Sequence, residues 1–203
     1  MSRLLPTLPA ALALLLAAGC VAPADDAIDV AATSAALTDP DPVQACPLPD
    51  PAHLAGHEAV FYTCAETVAD GGAGCGPTGY LLGYGTRYAQ RFYRDTRPRM
   101  TARGQRWIDD VLVCLQHDLR DAIDATTSCD DIWQTAFDSH PACYVDAGFC
   151  TLSIWDIAQV VRTIDVRDWV SADAARQVVT TAARCGAGYA WWMRTLFGAL
   201  ADD

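Results

Sequence analysis

The segment IDDVLVCLQHDL, residues 108–119, combines the two features that decide the fold: a helical apolar stripe and a cysteine beside it. Its apolar residues recur at intervals of three and four, which is the period of an amphipathic α-helix. Four later segments have the same period, and no comparable run alternates apolar and polar residues as a half-buried strand would. We therefore predict an all-α fold, a small bundle of five to seven short helices. The stripe consists of Ile108, Leu112, Leu115 and Leu119.

Helix boundary signals support this prediction. Ser128 and Ser153 each precede an apolar-periodic segment and are candidate N-caps, and Gly186 is a candidate C-cap. The helix after Ser153 is expected to bury Ile154, Ile157, Ala158 and Val161. The next helix is expected to bury Ala175, Val178, Ala182 and Cys185. A last helix would use Tyr189, Trp192, Met193, Leu196 and Leu200, with Trp191 and Trp192 divided between core and rim.

The N-terminus predicts export. Arg3 is followed by a nearly uncharged apolar run that is too short to span a bilayer, and the sequence Ala-Ala-Gly-Cys ends it. This pattern resembles a bacterial lipobox, so residues 1–19 are interpreted as a lipoprotein signal peptide and Cys20 as the lipidated residue. Residues 20–45, rich in Ala, Asp, Pro and Thr, are expected to form a disordered tether, and residues 46–203 the domain. The expected location is the bacterial outer membrane or cell surface, and otherwise a secreted or periplasmic one.

Besides Cys20, an even number of cysteines follows the signal peptide. Eight of them in an exported chain favour disulfides over free thiols, and no C-x-x-C pair suggests zinc or redox chemistry. We therefore predict four disulfides and neither a metal nor another cofactor. In CYVDAGFC, residues 143–150, a continuous helix would hold the two cysteines roughly 10 Å apart, too far to pair with each other. Gly148 could break that helix, which leaves their relation open. The cysteines are Cys46, Cys64, Cys75, Cys114, Cys129, Cys143, Cys150 and Cys185.

The charge of the chain excludes some partners. All 14 basic residues are arginines against 25 acids, which gives a net charge of −11. Without Arg3 the exported chain carries 13 − 25 = −12, which argues against nucleic acid as a partner. The missing lysine excludes a Walker phosphate loop. The glycine-rich residues 71–85 are therefore interpreted as a cross-linked loop.

The segment from Phe92 to Asp165 resembles the stanniocalcin family, in a core of about residues 75–186. The matching features are Gly104–Gln105 before a helix ending in Leu-x-Cys, then the spacing of the following cysteines and the Cys143–Tyr144 pair. Members of this family are exported, helical, disulfide-rich regulators of calcium and phosphate handling, and some inhibit a secreted metalloproteinase. The resemblance implies the bridges Cys114–Cys143, Cys150–Cys185, Cys75–Cys129 and Cys46–Cys64.

The resemblance also has limits. The chain ends at Asp203 without the later cysteine that links family members as dimers, so no covalent dimer is expected. A lipid anchor would not suit a diffusible hormone. The expected function is therefore a lipid-anchored, non-enzymatic binding or regulatory module that acts on the membrane surface. Its partner would be an extracellular or periplasmic protein or an anionic ligand.

One alternative is enzymatic. DSHPACY, residues 138–144, resembles the His-Asp-x-Cys-Tyr of secreted phospholipases, with His140 as the candidate general base. Pro141 occupies the position of the aspartate, and a histidine without an oriented carboxylate is a poor base. His117 and Asp121 have the i, i+4 spacing of metal ligands, but two ligands are too few and a solvated helix face is the expected reading.

Basic residues are concentrated in residues 87–106, which hold seven arginines and a single acid, Asp95. Arg87, Arg91 and Arg94 follow a helical spacing and would form one cationic stripe. The stripe is a candidate binding site for an anionic partner such as lipopolysaccharide, a phosphate ester or an acidic protein surface. The alternative is that it neutralises the domain's own acids.

Overall fold

The computed structural model describes residues 40–165, 168, 172–187 and 189. Within this part of the chain the regular structure is helical and contains no strand, which confirms the predicted all-α class. No helix here is both long and apolar enough to cross a bilayer. The helices are α1 (Val60–Glu66), α2 (Ala69–Gly72), α3 (Arg87–Arg91), α4 (Ala102–Ala122), α5 (Cys129–Asp146), α6 (Ile154–Thr163) and α7 (Ala172–Arg184). The predicted signal peptide, Cys20, and Trp191 with Trp192 lie outside the described residues.

Helices α4 and α5 form the centre of the bundle, and α7 packs against α5. The predicted stripe of α4 is buried along its whole length, from Ile108 to Leu119. Each such aliphatic side chain contributes about 1.5–3 kcal/mol when it is removed from water. Both predicted serine caps are present, since the Ser128 and Ser153 side chains accept hydrogen bonds from backbone N–H groups in the first turns of α5 and α6.

The glycine-rich region is only partly the loop that was predicted. Residues Tyr80–Thr86 form a wide π-helical segment that continues into α3, then into a second π-helical stretch, Phe92–Thr96, and a 3-10 turn, Arg97–Arg99. Two glycines permit the close packing of the first stretch. A Cβ atom on Gly83 would lie 2.6 Å from the Pro77 carbonyl oxygen, and one on Gly85 would lie 3.1 Å from the Tyr62 ring. Here glycine serves helix packing and does not mark a loop.

Four disulfides connect the elements, and they join the pairs that the stanniocalcin resemblance implied. The chain before α1 is bonded to α1, the glycine-rich region to the start of α5, α4 to α5, and the turn after α5 to the end of α7. Helix α5 ends at Asp146, and Gly148 adopts a left-handed φ of 99°. Cys143 and Cys150 therefore do not share a helix, and each bonds to a separate partner.

Helix α6 buries the predicted face only in part, and Ala158 and Val161 are half-buried. Ile157 is buried as expected, but Ile154 is 63% exposed. The buried positions of this helix also include Asp156, Gln159 and Thr163. The reason is a contact with a distant segment, because Asp156 accepts hydrogen bonds from Thr101 at the start of α4 and thereby fixes the rotation of α6.

The packed domain also begins earlier than predicted. Val43, which was assigned to the tether, is 0% exposed. The Asp41 side chain accepts from the backbone N–H of Ala125, and the Gln44 side chain donates to the Arg120 carbonyl. The boundary at residue 45 is therefore wrong by about five residues, since a short polar stretch is held to the end of α4 by contacts that its composition does not reveal.

Candidate functional site

The three arginines of the predicted stripe make ion pairs with acids of the same domain. Arg87 contacts Asp168 at 2.5 Å, and Arg91 contacts Asp165 at 2.7 Å. The Arg94 Nε donates to Glu58 at 2.8 Å, and the Glu58 side chain is only 2% exposed. The structure therefore corresponds to the alternative interpretation, in which the stripe neutralises the domain's own acids.

His140 lies in the core and not on a surface. It is 2% exposed, its Nε2 is 3.3 Å from the Tyr80 hydroxyl, and its Nδ1 is 2.9 Å from the Gln177 side-chain nitrogen. Burial lowers the pKa of His140 to about 3. Neither polar neighbour is a carboxylate, so the orienting group that a catalytic histidine needs is not among these contacts.

A cavity lined mainly by aromatic side chains lies beside His140. Its walls include Tyr62, Tyr80, Tyr84 and Tyr144, and burial raises the pKa of each of these phenols. The tyrosines are therefore neutral at physiological pH. The cavity volume is about 50 Å³, compared with about 150 Å³ for a protein cavity that admits benzene. A space of this size admits a few water molecules but not an organic ligand.

The sulfurs of Cys114 and Cys143 and the carboxylate of Asp118 lie within 4.8 Å of one another. Metal ions are bound by thiolates, and these two sulfurs are joined in a disulfide. Burial raises the pKa of Asp118, whose Oδ2 lies 3.3 Å from the Cys143 sulfur. The cluster is therefore a structural disulfide, Cys114–Cys143, next to the Asp118 carboxylate.

The His117–Asp121 pair is a salt bridge on a solvated face of α4. The two side chains approach to 3.2 Å, and each is 50% exposed. Among the described residues, no other His, Cys, Asp or Glu side chain lies close enough to this pair to make a group of three metal ligands. The pair thus has the ordinary form of an i, i+4 contact on a solvated helix face.

A second pocket has the polarity expected of a ligand site. It has a volume of about 180 Å³ and lies where α6 meets the second π-helical stretch and the turn after it. Buried Thr96, Gln159 and Thr163 line it together with the rim residues Arg91, Asp95, Arg99 and Arg162. Arg91 is paired with Asp165, whereas Arg99 and Arg162 make no salt bridge within the described part of the chain.

The sequence reasoning did not identify this pocket. Two of its arginines lie outside the predicted stripe, and α6 was expected to bury an apolar face. One signal was present in the sequence, because Gln159, Arg162 and Thr163 follow the i, i+3, i+4 spacing of one helix face. The polar stripe alone does not indicate a pocket, because the pocket also requires Thr96, which comes from another segment.

Four disulfides in a domain of this size are typical of an oxidising compartment outside the cytoplasm. Comparisons of the chain with models of protein families, with curated proteins and with solved structures gave no significant match. The resemblance to stanniocalcins therefore rests on the quoted residues and their spacing.

Proposed function

We propose that this chain is an exported, lipid-anchored, non-enzymatic binding or regulatory module with a stanniocalcin-like helical domain. The observation that carries the proposal is the set of four disulfides that join separate elements of a helical bundle. Such bridges persist in oxidising compartments, and they stabilise a small domain whose surface is available for binding a partner. The burial of His140 supports a role without catalysis.

The lipid anchor is tested by Cys20→Ser in the natural host. Loss of the thiol removes the only atom that a diacylglyceryl group could modify at the lipobox, so incorporation of radiolabelled palmitate should cease and the chain should leave the membrane fraction. Cys46→Ser is a matched control, because it removes a cysteine that the structure places in a disulfide. Equal labelling of the wild type and Cys20→Ser would refute the anchor.

The family resemblance is tested by peptide mapping of the unreduced exported protein. The expected result is four cystine-linked peptide pairs with the connectivity of the structure. Free thiols, or a connectivity in which Cys143 bonds to Cys150, would contradict both the pairing and the resemblance.

The alternative, a phospholipase-like enzyme, predicts lipid hydrolysis that depends on His140. We expect the purified wild-type protein to release no fatty acid from phospholipid vesicles, with or without Ca²⁺. Turnover by the wild type that His140→Gln abolishes, while His117→Gln retains it, would establish the enzyme and refute the non-enzymatic role.

A further inference from the structure

We propose that the pocket between α6 and Arg99 binds a small tetrahedral oxyanion, phosphate or a phosphate monoester. This assigns a ligand class to the binding module and to that extent rests on the proposed function. The pocket itself does not require the lipid anchor, so the two ideas can fail separately.

Gln159 lines the pocket with a side-chain amide. Gln159 is only 5% exposed, and its side chain makes no hydrogen bond with the rest of the chain. The fully enclosed side-chain atoms that lack a hydrogen bond do not include the Gln159 amide, so this amide is accessible from the pocket. An anion oxygen in the pocket would accept the hydrogen bond that the amide N–H₂ offers.

The neighbouring threonine hydroxyls use their protons in hydrogen bonds within the chain. Thr163 donates its hydroxyl proton to the Gln159 carbonyl at 2.8 Å. Thr96 is therefore the donor in the short hydrogen bond between the Thr96 and Thr163 hydroxyls. Both threonines are buried, so this chain of hydrogen bonds fixes the floor on which Gln159 stands.

The rim of the pocket carries positive charge that no acid of the described residues neutralises. Arg99 and Arg162 are exposed and unpaired in the described structure. Arg91 and Asp95 also line the pocket, and Arg91 is paired with Asp165. Three arginines and two aspartates therefore give a local charge of 3 − 2 = +1. The whole chain carries −11, so this is a local reversal of sign, and such a reversal attracts anions.

The shape of the donors favours a tetrahedral oxyanion over a halide. A guanidinium presents two parallel N–H groups that match two oxygens of phosphate or carboxylate. Two guanidiniums and one amide can serve several oxygens of one ion at once. The volume of about 180 Å³ is far above the ~10–15 Å³ that one water needs, so it admits such an ion.

The phosphate group could come from solution or from a lipid headgroup. Trp155 is 56% exposed, and its indole N–H donates to the Arg99 carbonyl at 2.9 Å. An exposed tryptophan at the edge of the pocket would also suit a membrane interface. The experiment therefore needs one arm for each source.

The test uses the full-length chain carrying Cys20→Ser, so that the outcome does not depend on lipidation. Isothermal titration with inorganic phosphate at low ionic strength is the first arm, with sodium chloride as the ionic control. Sedimentation with vesicles of phosphatidylcholine, with and without phosphatidic acid, is the second arm. The variants are Arg99→Glu, Arg162→Glu and Gln159→Leu, with Arg106→Glu as the matched charge control, since Arg106 is an exposed arginine of the same region. Native disulfide content and circular dichroism verify the fold of each variant.

Saturable phosphate binding is expected, with an affinity lowered about tenfold or more by Arg99→Glu or Arg162→Glu. Gln159→Leu, which changes no charge, should lower it several-fold, and Arg106→Glu should leave it within twofold. Binding only to phosphatidic acid vesicles with the same variant pattern would assign the lipid headgroup as the source. Binding to neither, or an equal loss in Arg106→Glu and the pocket variants, would overturn the proposal, whatever the state of Cys20.

Discussion

The carboxylate of Asp156 accepts hydrogen bonds from both the backbone N–H and the hydroxyl of Thr101, each at 2.8 Å. Thr101 is the N-cap of α4, and the same carboxylate accepts a third hydrogen bond from the Ser153 hydroxyl, the N-cap of α6. One buried acid thus connects the starts of two helices. Burial raises the pKa of Asp156, but the hydrogen bonds from Ser153 and Thr101 outweigh it and hold the pKa below the usual value.

Asp156→Ala should lower the free energy of unfolding by about 3 kcal/mol or more, because three hydrogen bonds to one buried carboxylate are lost and their donors lose their acceptor. Denaturation in guanidinium chloride measures the change. Asp110→Ala, an exposed acid on α4, is the control and should change the free energy by less than about 0.5 kcal/mol. A similar small effect for Asp156→Ala would contradict the double-cap role.

Gly104→Ala should destabilise the same junction. A Cβ atom at this position would lie 2.6 Å from the Asp156 Oδ1, inside contact distance. The strain should cost about 1–3 kcal/mol, although alanine is otherwise the better helix former. Wild-type or greater stability of this variant, measured in the same denaturant, would show that the junction can open without penalty.

His140 should make stability depend on pH in mildly acidic solution. The folded-state pKa of about 3 lies below the unfolded value of 6.5, so on acidification the unfolded chain takes up a proton before the folded one. The stabilising contribution is therefore full above about pH 6.5 and decreases as the pH falls towards 3. The expected slope is about 1.4 kcal/mol per pH unit between pH 6 and pH 4.

Denaturant titrations at pH 7, 6, 5 and 4 measure this slope. His140→Gln should flatten it, whatever its effect on absolute stability, because the group that takes up the proton is gone. His117→Gln is the control for the loss of an imidazole elsewhere in the domain, since that side chain is half exposed. An unchanged slope in His140→Gln would show that other groups are responsible.

The Arg94–Glu58 pair should matter for stability. Glu58 is almost fully buried, so Arg94→Met leaves a carboxylate in the interior without its cation. Because the Arg94 side chain is more than half exposed, we expect a loss of about 1–3 kcal/mol, less than for a fully buried pair. Adding Glu58→Gln should restore part of the loss. The control Arg106→Met should be neutral, and a neutral Arg94→Met would mean that water replaces the guanidinium.

The disulfides should differ in their contribution to stability. Cys75–Cys129 closes 54 residues and Cys46–Cys64 closes 18. The chain-entropy model gives about 4 kcal/mol for the first and about 3 kcal/mol for the second. Paired alanine variants, compared by chemical denaturation under non-reducing conditions, should keep this order. The reverse order would indicate that packing around Cys46 dominates over loop entropy.

The sequence predicted the helices well where one segment contains all the information. Three such features are the stripe of α4, the serine caps, and Gly186 after the end of α7, which has a left-handed φ of 104°. Each depends on neighbours within a few residues. The all-α class follows from these local signals. The pairing of the cysteines came from the resemblance and not from their spacing, because eight cysteines permit many connectivities.

Features that depend on distant segments were not accessible in this way. Asp156 turns α6 so that Ile154 is exposed, because Thr101 lies 55 residues earlier and its hydrogen bonds take precedence over the apolar pattern. For the same reason the cationic stripe is paired, since Asp165 and Glu58 come from either side of it along the chain.

The sequence by itself determined the helical class, the caps and the presence of an even set of cysteines, since these follow from period and composition. The tertiary structure alone decided which acids neutralise which arginines, and it brought Gln159 and Thr96 to one pocket beside Arg99 and Arg162. Charge pairing and desolvation act between side chains that are near in space, and the order of residues along a chain does not contain those distances.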